Sequence, residues 1–267
     1  MGDSTRGFEK TLEADLKQHF DLPAIRRVPP GRPFTWLAKG FRDMRGNLVE
    51  SLAYGVVVAA IGWAIWTYTG DRPQQFTASI TGFFLLAPLL AAGLYEISRR
   101  HELGLDTGFG ESLQGWRRSG GALAQFGLEL VLVAILWERL SAILFALFYY
   151  GAVPNLDAFY RTLILSGDYW RLLIVYVAVG GILATGVFVM CAISIPMLLD
   201  RDVDIYTAMA TSLIAVGRNI PAMALWALLI VCLTAVGFAT LLLGMIVILP
   251  VLGHATWHAY RDLVQSG

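Results

Sequence analysis

Among its 267 residues the chain has 57% apolar and 15% charged residues, whereas soluble domains have roughly 45–50% and about 25%. The 20 basic and 20 acidic residues cancel, and sixteen of them lie within the first 50 residues, which leaves too few charges elsewhere to cover a soluble surface. This composition excludes a soluble enzyme, a disordered protein and a disulfide scaffold, and predicts a polar N-terminal segment followed by a membrane domain.

The N-terminal segment, residues 1–33, is polar at first and then rich in proline and arginine. It has no apolar core near its start and no small-residue cleavage site, so it does not resemble a signal peptide. Four prolines within residues 23–33 oppose a helix there. We expect a cytoplasmic segment that approaches the membrane in an extended, basic stretch.

Long apolar runs predict an integral membrane domain over residues 34–264, because about 20 helical residues cross a 30 Å bilayer core. Six transmembrane helices are predicted at about residues 51–70, 74–97, 121–138, 172–199, 220–236 and 238–260. The last uncharged run, residues 220–253, would need a tilt beyond the usual range as one helix. Two helices that turn near Gly237 are therefore preferred, and a single kinked helix is the alternative.

A repeated pattern is visible along the membrane domain. Short amphipathic stretches precede every first helix of a pair, at residues 36–47, 109–121 and 205–219. A proline recurs late in every second helix, at Pro88, Pro196 and Pro250. The pattern predicts an all-α polytopic bundle of three hairpin repeats, each with an interfacial helix on the cytoplasmic side.

The basic residues indicate an orientation. Sixteen of the 20 lie on the side that carries the N-terminus, so the positive-inside rule predicts that both termini are cytoplasmic. A basic stretch next to the first helix is predicted to contact anionic lipid headgroups. Its members are Arg26, Arg27, Arg32, Lys39, Arg42 and Arg45.

Two stretches resemble a known family. Residues 25–37 (Ile-Arg-Arg-Val-Pro-Pro-Gly-Arg-Pro-Phe-Thr-Trp-Leu), followed by residues 40–43 (Gly-Phe-Arg-Asp), resemble the start of the DUF2189 family of predicted bacterial integral membrane proteins. Residues 253–263 (Gly-His-Ala-Thr-Trp-His-Ala-Tyr-Arg-Asp-Leu) resemble its end. The resemblance brackets residues 25–264 and implies a multi-pass protein of the bacterial inner membrane. Some family members carry the label of a cytochrome c oxidase subunit, which implies an association with respiratory complexes.

The number of histidines in the predicted membrane helices tests whether the chain can be an oxidase subunit, because a haem–copper oxidase core needs several intramembrane histidine ligands. The chain has four histidines, of which only His254 and His258 fall in a predicted membrane helix, so a catalytic oxidase subunit is excluded. Four residues apart on a helix, these two share one face and are candidate ligands of a metal or haem iron. The alternative is two amphipathic side chains at the headgroup level. Otherwise no cofactor is expected.

Glu129 is the one carboxylate predicted near the middle of the membrane. An ionised carboxylate is costly there, so it should face the bundle interior. It is a candidate proton or cation site in a transport path, and a helix–helix hydrogen bond is the alternative.

Three hypotheses of function remain open. The chain has no Walker loop, dinucleotide fingerprint, nucleophile elbow or zinc-site pattern, so we expect no enzyme and no catalytic residues. The first hypothesis is an accessory or structural partner of membrane complexes, respiratory ones among them. The second is a small-solute or ion transporter that uses Glu129, and the third is a metal or haem binder.

A polar cavity around Glu129 would favour transport, and a dry, close-packed bundle would favour the accessory role. The expected partners are the lipid bilayer and other membrane proteins, with no nucleic acid.

Overall fold

The computed structural model describes residues 22–69, 73–149 and 166–265, which are almost entirely helical. The helices in this part of the chain are α1 (Arg32–Gly46), α2 (Leu48–Thr69), α3 (Pro73–Leu90), α4 (Ala92–Glu102), α5 (Phe109–Ser112), α6 (Gln114–Phe148), α7 (Trp170–Cys191), α8 (Ser194–Asp200), α9 (Ile205–Arg218), α10 (Ile220–Ala239) and α11 (Met245–Leu263). Within the described residues, five regions are long and apolar enough to cross a membrane: Leu48–Thr69, Ser79–Glu102, Phe109–Phe148, Trp170–Asp200 and Ile220–Ala239. The protein is a polytopic helical membrane protein, as predicted. The count of six crossings and the three repeats stay predictions.

Helices occur at all three predicted amphipathic stretches. The first is α1 and the third is α9. The second is divided between α5 and the start of α6, where Ser119 has the non-helical dihedrals φ −107° and ψ 17°. That kink separates the amphipathic beginning of α6 from its apolar continuation.

The third predicted membrane helix extends further than expected. Helix α6 continues past residue 138 to Phe148, so Glu138 and Arg139 lie inside a helix. Their side chains are exposed and form an ion pair with 3.3 Å between Arg139 Nε and Glu138 Oε2. Residues 128–148 contain neither glycine nor proline, and an adjacent pair of charges does not break a helix as those residues do.

Two predicted membrane helices are each divided in the structure. The segment at 74–97 forms α3 and α4, with a break after Leu90, and the segment at 172–199 forms α7 and α8. Pro88 and Pro196 lie close to these breaks. A proline has no N–H group and its ring clashes with the preceding turn, so a helix interrupts or bends near it.

The last apolar run forms two helices, as the tilt argument predicts. Helices α10 and α11 are joined by residues 240–244, three residues beyond the expected turn at Gly237. In the connection Leu241 and Leu242 have positive φ angles of 52° and 69°. A left-handed backbone conformation is incompatible with a continuous helix, so the run does not form a single kinked one.

The chain divides into two compact units. The first unit comprises Met1–Ala59, Pro88–Gln125 and Phe188–Gly267, and the second comprises Ala60–Ala87 and Phe126–Val187.

In the first unit, α1 packs along α11, which also contacts α4, α8 and α10. Trp36 and Trp226 are buried and meet edge to face with their ring centroids 5.9 Å apart. A Cβ atom on Gly40 would lie 2.6 Å from the backbone nitrogen of Ala255. The absence of a side chain at Gly40 therefore allows α1 to approach α11 closely.

Residues 22–29 form the expected extended segment and lie against the C-terminal end of α11. Ile25 and Val264 form an antiparallel bridge, and the Arg26 N–H donates to the Leu263 carbonyl at 2.8 Å. The side chain of Asn219 accepts from the Val28 N–H at 2.8 Å and donates to the Arg26 carbonyl at 3.0 Å. The segment is thus fixed to the first unit, and its place at the membrane stays a prediction.

In the second unit, the beginning of α7 packs against the end of α6. Leu172 is buried among Leu144, Phe145, Phe148, Tyr149, Tyr169, Leu173 and Tyr176. The rings of Tyr149 and Tyr169 stack with their centroids 4.7 Å apart, and the hydroxyls of Ser141 and Tyr176 lie 3.0 Å apart. These contacts join the two helix ends, and residues 150–165 between them lie outside the described part of the chain.

Candidate functional site

Three histidines gather around the carboxylate of Asp43, which is 3% exposed. His258 Nε2 lies 2.8 Å from Asp43 Oδ2, and His101 Nδ1 lies 3.4 Å from Asp43 Oδ1. His254 reaches the same carboxylate through the hydroxyl of Ser98. We call Asp43, Ser51, Ser98, His101, His254 and His258 the Asp43 cluster; all of them belong to the first unit.

Within the cluster, hydrogen bonds run in one direction toward Asp43. Ser98 Oγ donates to Asp43 Oδ2 at 2.7 Å, since an ionised carboxylate only accepts. Ser98 Oγ then accepts from His254 Nδ1 at 2.8 Å. Since burial favours a neutral imidazole, the other nitrogen of His254 accepts from the Ser51 hydroxyl at 2.9 Å. Every donor in this series of hydrogen bonds therefore has an acceptor, although Ser51, Ser98 and His254 are fully buried.

Four helices supply the cluster, and helical spacing places its members. His254 and His258 are four residues apart on α11 and share a face, as predicted. Ser98 and His101 are three residues apart on α4, Asp43 is on the buried face of α1, and Ser51 is in the first turn of α2. The close approach at Gly40 brings α1 near enough for Asp43 to reach α11.

The environment of Asp43 favours its ionised form. Burial alone would raise the pKa of the Asp43 carboxyl, but the hydrogen bonds from His258 and Ser98 and the electrostatic interaction with His258 outweigh burial and lower the pKa below its usual value. Asp43 is thus a buried carboxylate held negative by its donors.

A second polar network surrounds Glu96, which is fully buried. Its carboxylate lies 3.0 Å from Arg118, 3.5 Å from Arg99 and 3.8 Å from Arg100. Arg118 also donates to the carbonyl of Leu199 at 2.6 Å. Three guanidinium groups on one carboxylate compensate the cost of burying it, and they link α4 to α6 and α8.

The two networks meet at the end of α11. Arg261 Nε donates to Glu102 Oε2 at 3.0 Å, and Arg261 Nη1 lies 3.4 Å from Asp200. Arg99 contacts the same Asp200 at 3.6 Å, and Glu102 lies 3.9 Å from His258 Nδ1. Arg99, Arg100, Arg118 and Arg261 are therefore all paired with buried or half-buried carboxylates.

The geometry gives no support to a metal or haem at His254 and His258. Both ring nitrogens of His254 already bond hydroxyl groups, and His258 Nε2 bonds Asp43. Among the described residues, no three histidine, cysteine or acidic side chains are arranged to hold a metal ion. The metal or haem interpretation stays a prediction.

Glu129 belongs to the second unit, whereas the Asp43 cluster belongs to the first. It is half-buried on α6 between the buried side chains of Phe126 and Leu130. Its role in a transport path stays a prediction.

The basic stretch near the first helix divides into two groups. Arg32 forms a bidentate pair with Asp262, with distances of 2.5 and 3.0 Å, and Trp36 Nε1 donates to the same carboxylate at 2.9 Å. Arg32 therefore holds α1 to α11. By contrast, Arg26, Arg27, Arg42 and Arg45 are exposed, and Lys39 is half-exposed. Arg45 lies over the ring of Phe41 at 4.8 Å.

Sequence reasoning did not identify Asp43, Ser51, Ser98, His101 or Glu96 as site residues. A usable signal existed for Asp43, because the apolar positions Pro33, Trp36 and Met44 recur at helical spacing and place residue 43 on the same face. The partners on other helices carry no comparable signal, since their meeting depends on how the helices pack.

Comparisons with known proteins support the resemblance found at the two ends of the chain. No curated protein and no solved structure matches the chain. A family model matches the region from within α3 to the end of α8, between the two stretches that carry the resemblance. Residues 76–200 match the model of the DUF2189 family, described as predicted integral membrane proteins, and the resemblance to that family is thereby confirmed.

Proposed function

We propose that the protein is a non-enzymatic accessory component that binds other integral membrane proteins, respiratory complexes among them. The observation that carries the proposal is how little the chain covers its own apolar helices. In the most apolar stretch of Trp170–Asp200, 6% of the residues are buried, and in that of Phe109–Phe148 the share is 11%. In that of Ser79–Glu102 the share is 60%. The two sparsely covered regions offer apolar surface to transmembrane helices of another protein.

One face of α7 fits such a helix. A Cβ atom on Gly181 would meet nothing within 4 Å, whereas one on Gly180 would lie 3.0 Å from Trp137. Ala178 and Thr185 are also exposed and lie close to Gly181 on the helix surface. Small residues on one face allow the backbones of two membrane helices to approach closely.

The Asp43 cluster supports a scaffolding role over catalysis. Its carboxylate, imidazoles and hydroxyls bond one another, and a fully satisfied polar network fixes the relative positions of the helices that supply it. Here it joins α1, α2, α4 and α11 within the first unit.

The proposal includes an orientation. Both termini face the cytoplasm of a bacterial cell whose inner membrane holds the protein, and the exposed guanidinium groups of Arg26, Arg27, Arg42 and Arg45 contact anionic headgroups. The support is the sidedness of the basic residues and the position of α1 directly before the membrane helix α2.

Co-purification in a mild detergent, with mass spectrometry and an absorption spectrum, tests the proposal. We expect one or more membrane proteins to co-purify in fixed ratio and no haem band. Gly181→Leu should reduce their yield at least tenfold, because leucine fills the space a partner helix would occupy. Ile182→Leu is the matched control, since Ile182 is exposed on the same turn and the change preserves volume.

Two results would contradict the accessory role. One is a chain that purifies alone from membranes under conditions in which known complexes stay intact. The other is a set of partners that Gly181→Leu and Ile182→Leu retain equally. A haem band that disappears in His254→Ala would favour the third hypothesis of the sequence analysis instead.

A further inference from the structure

We propose that Glu129 on α6 is the contact through which the protein recognises a basic side chain in a membrane helix of its partner. The inference rests on the accessory role proposed above and names the chemistry of the partner: a transmembrane helix with one lysine or arginine near the middle of the bilayer. It differs from the transport path considered for Glu129, because no solute or ion has to move.

Glu129 lies near the middle of the apolar part of α6. Residues 119–128 before it carry no charge, and the next charged residues after it are Glu138 and Arg139. At about 1.5 Å per residue, Glu138 is roughly 14 Å further along the helix, about half of a 30 Å hydrocarbon core. The carboxyl group therefore lies at a depth where charged side chains are costly and almost always paired.

Within the described residues, the carboxyl group of Glu129 has neither a hydrogen bond nor an ion pair. Polar side chains elsewhere in the second unit have partners of their own. The hydroxyls of Tyr176 and Ser141 lie 3.0 Å apart, and the Thr185 hydroxyl donates to the Gly181 carbonyl at 2.7 Å. A partner for Glu129 has to come from outside the described residues, and a second protein can supply it.

The face of α6 that carries Glu129 is open to such a helix. Leu132 and Leu136 lie three and seven residues further along on the same face, and they are 54% and 49% exposed. Leu128, the neighbour of Glu129, is 60% exposed. An approaching membrane helix would therefore meet apolar surface around a single half-buried carboxyl group.

The carboxyl group selects a partner by charge. An ionised carboxylate only accepts hydrogen bonds, so it pairs with side chains that carry N–H groups. Lysine and arginine also bring the opposite charge, which is most effective where water is excluded. A helix with a basic side chain is thus favoured over an apolar helix of the same shape. A second copy of this chain at the same depth would bring another Glu129, and two carboxylates disfavour each other.

Model peptides in vesicles of palmitoyl-oleoyl phosphatidylcholine test the contact with the purified full-length protein. Three leucine-rich helical peptides of about 20 residues differ only in the central residue, which is lysine, leucine or glutamate. Energy transfer from the tryptophans of the protein to a dansyl group on the peptide measures binding. We expect the lysine peptide to bind about tenfold more tightly than the leucine peptide, and the glutamate peptide to bind no better than the leucine peptide.

Substitutions on α6 assign the preference to Glu129. Glu129→Leu should abolish the preference for the lysine peptide, while continued binding of the leucine peptide shows that the apolar face is intact. Glu129→Gln keeps an acceptor oxygen without the charge and should reduce the preference in part; it replaces Glu129→Leu where that variant does not fold. Glu138→Leu is the matched control, because Glu138 is exposed on the same helix and already pairs with Arg139, and it should keep the full preference.

Equal binding of the lysine and leucine peptides by the wild type overturns the inference, as does a preference that Glu129→Leu and Glu129→Gln fully retain. Membrane proteins that co-purify in dependence on Gly181 would in that case leave the accessory role intact. A lysine preference that is lost in Glu129→Leu, with no membrane protein co-purifying, would instead contradict the accessory role and leave the contact at Glu129 in place.

Discussion

Asp43 on α1 and His258 on α11 are 215 residues apart in the chain and join through a buried hydrogen bond of 2.8 Å. The bond connects the first described helix to the last. Because Asp43 also accepts from Ser98 on α4, the carboxylate is the point at which three helices are held together.

Removal of that carboxylate should strongly destabilise the first unit. In Asp43→Ala, His258 and Ser98 lose their acceptor in a buried site, and loss of one partner of a buried charged pair costs about 3–5 kcal/mol. Asp43→Asn retains an acceptor oxygen and should cost less. Thermal unfolding in detergent, followed by circular dichroism, measures both. Equal unfolding temperatures for wild type and Asp43→Ala would show that the bond does not hold α1 in place.

Acid should destabilise the protein through two aspartates. Burial raises the pKa of Asp262, but hydrogen bonds from Arg32 and Trp36 and nearby positive charge outweigh it, so the pKa is lowered, as it is for Asp43. A lowered folded-state pKa contributes stability above the ordinary value of about 3.9, and that stability is lost as the pH falls through the folded-state value.

Unfolding temperatures between pH 7 and pH 3 measure this loss. We expect little change down to about pH 5 and a steep fall below about pH 4. Asp262→Asn should make the fall shallower, because one of the two linked groups no longer titrates. An equally steep fall in Asp43→Asn/Asp262→Asn would assign the acid sensitivity to other carboxylates.

Gly55 should tolerate no side chain. A Cβ atom there would collide with the backbone of Ile246, on α11, so Gly55→Ala forces α2 and α11 apart and should cost about 1–3 kcal/mol. Gly217→Ala on α9 is the control, since nothing lies within 4 Å of that position; it should stabilise by about 0.5–1 kcal/mol because alanine is the better helix former. Similar unfolding temperatures for the two variants would contradict the close approach.

Leu241 should be a site of stabilisation. It has a φ angle of 52° and is 73% exposed, so little of its side chain packs against the described residues, and the backbone conformation costs about 1–2 kcal/mol for a residue with a Cβ. Asparagine tolerates this conformation better, and Leu241→Asn should raise the free energy of unfolding by about 0.5–1 kcal/mol. Leu243→Asn, at an exposed neighbour without a positive φ, should bring no such gain.

Much of the fold follows from local pattern. The apolar runs, the amphipathic stretch of α1 and the proline-rich segment before it each depend on residues close in sequence, and helices occur at the predicted positions. The breaks inside the predicted helices were not predicted. A proline marks a region where a helix can be interrupted. The exact position of the break depends on contacts with other helices, such as the hydrogen bond that the Ile193 N–H donates to the hydroxyl of Ser212 at 3.2 Å.

The candidate site was predictable only in part. The shared face of His254 and His258 follows from their spacing, because helical geometry alone fixes it. Their contact with Asp43 does not, since it depends on the register of α1 against α11. Likewise the burial of Glu96 depends on Arg118, 22 residues later, and nothing in the sequence alone indicates that these two residues form a pair.

The bridge between Ile25 and Val264 restricts how the chain passes through the bilayer. Two positions joined by backbone contact lie on the same side, and a path that starts and ends on one side crosses an even number of times. The described residues offer five regions suited to crossing, which is odd. An even number of crossings therefore requires one of two arrangements. Either there is a further crossing, for which Met245–Leu263 has the length, or one of the five regions does not pass completely through the bilayer. A short bond between the two ends of the membrane domain thus constrains the topology of everything between them.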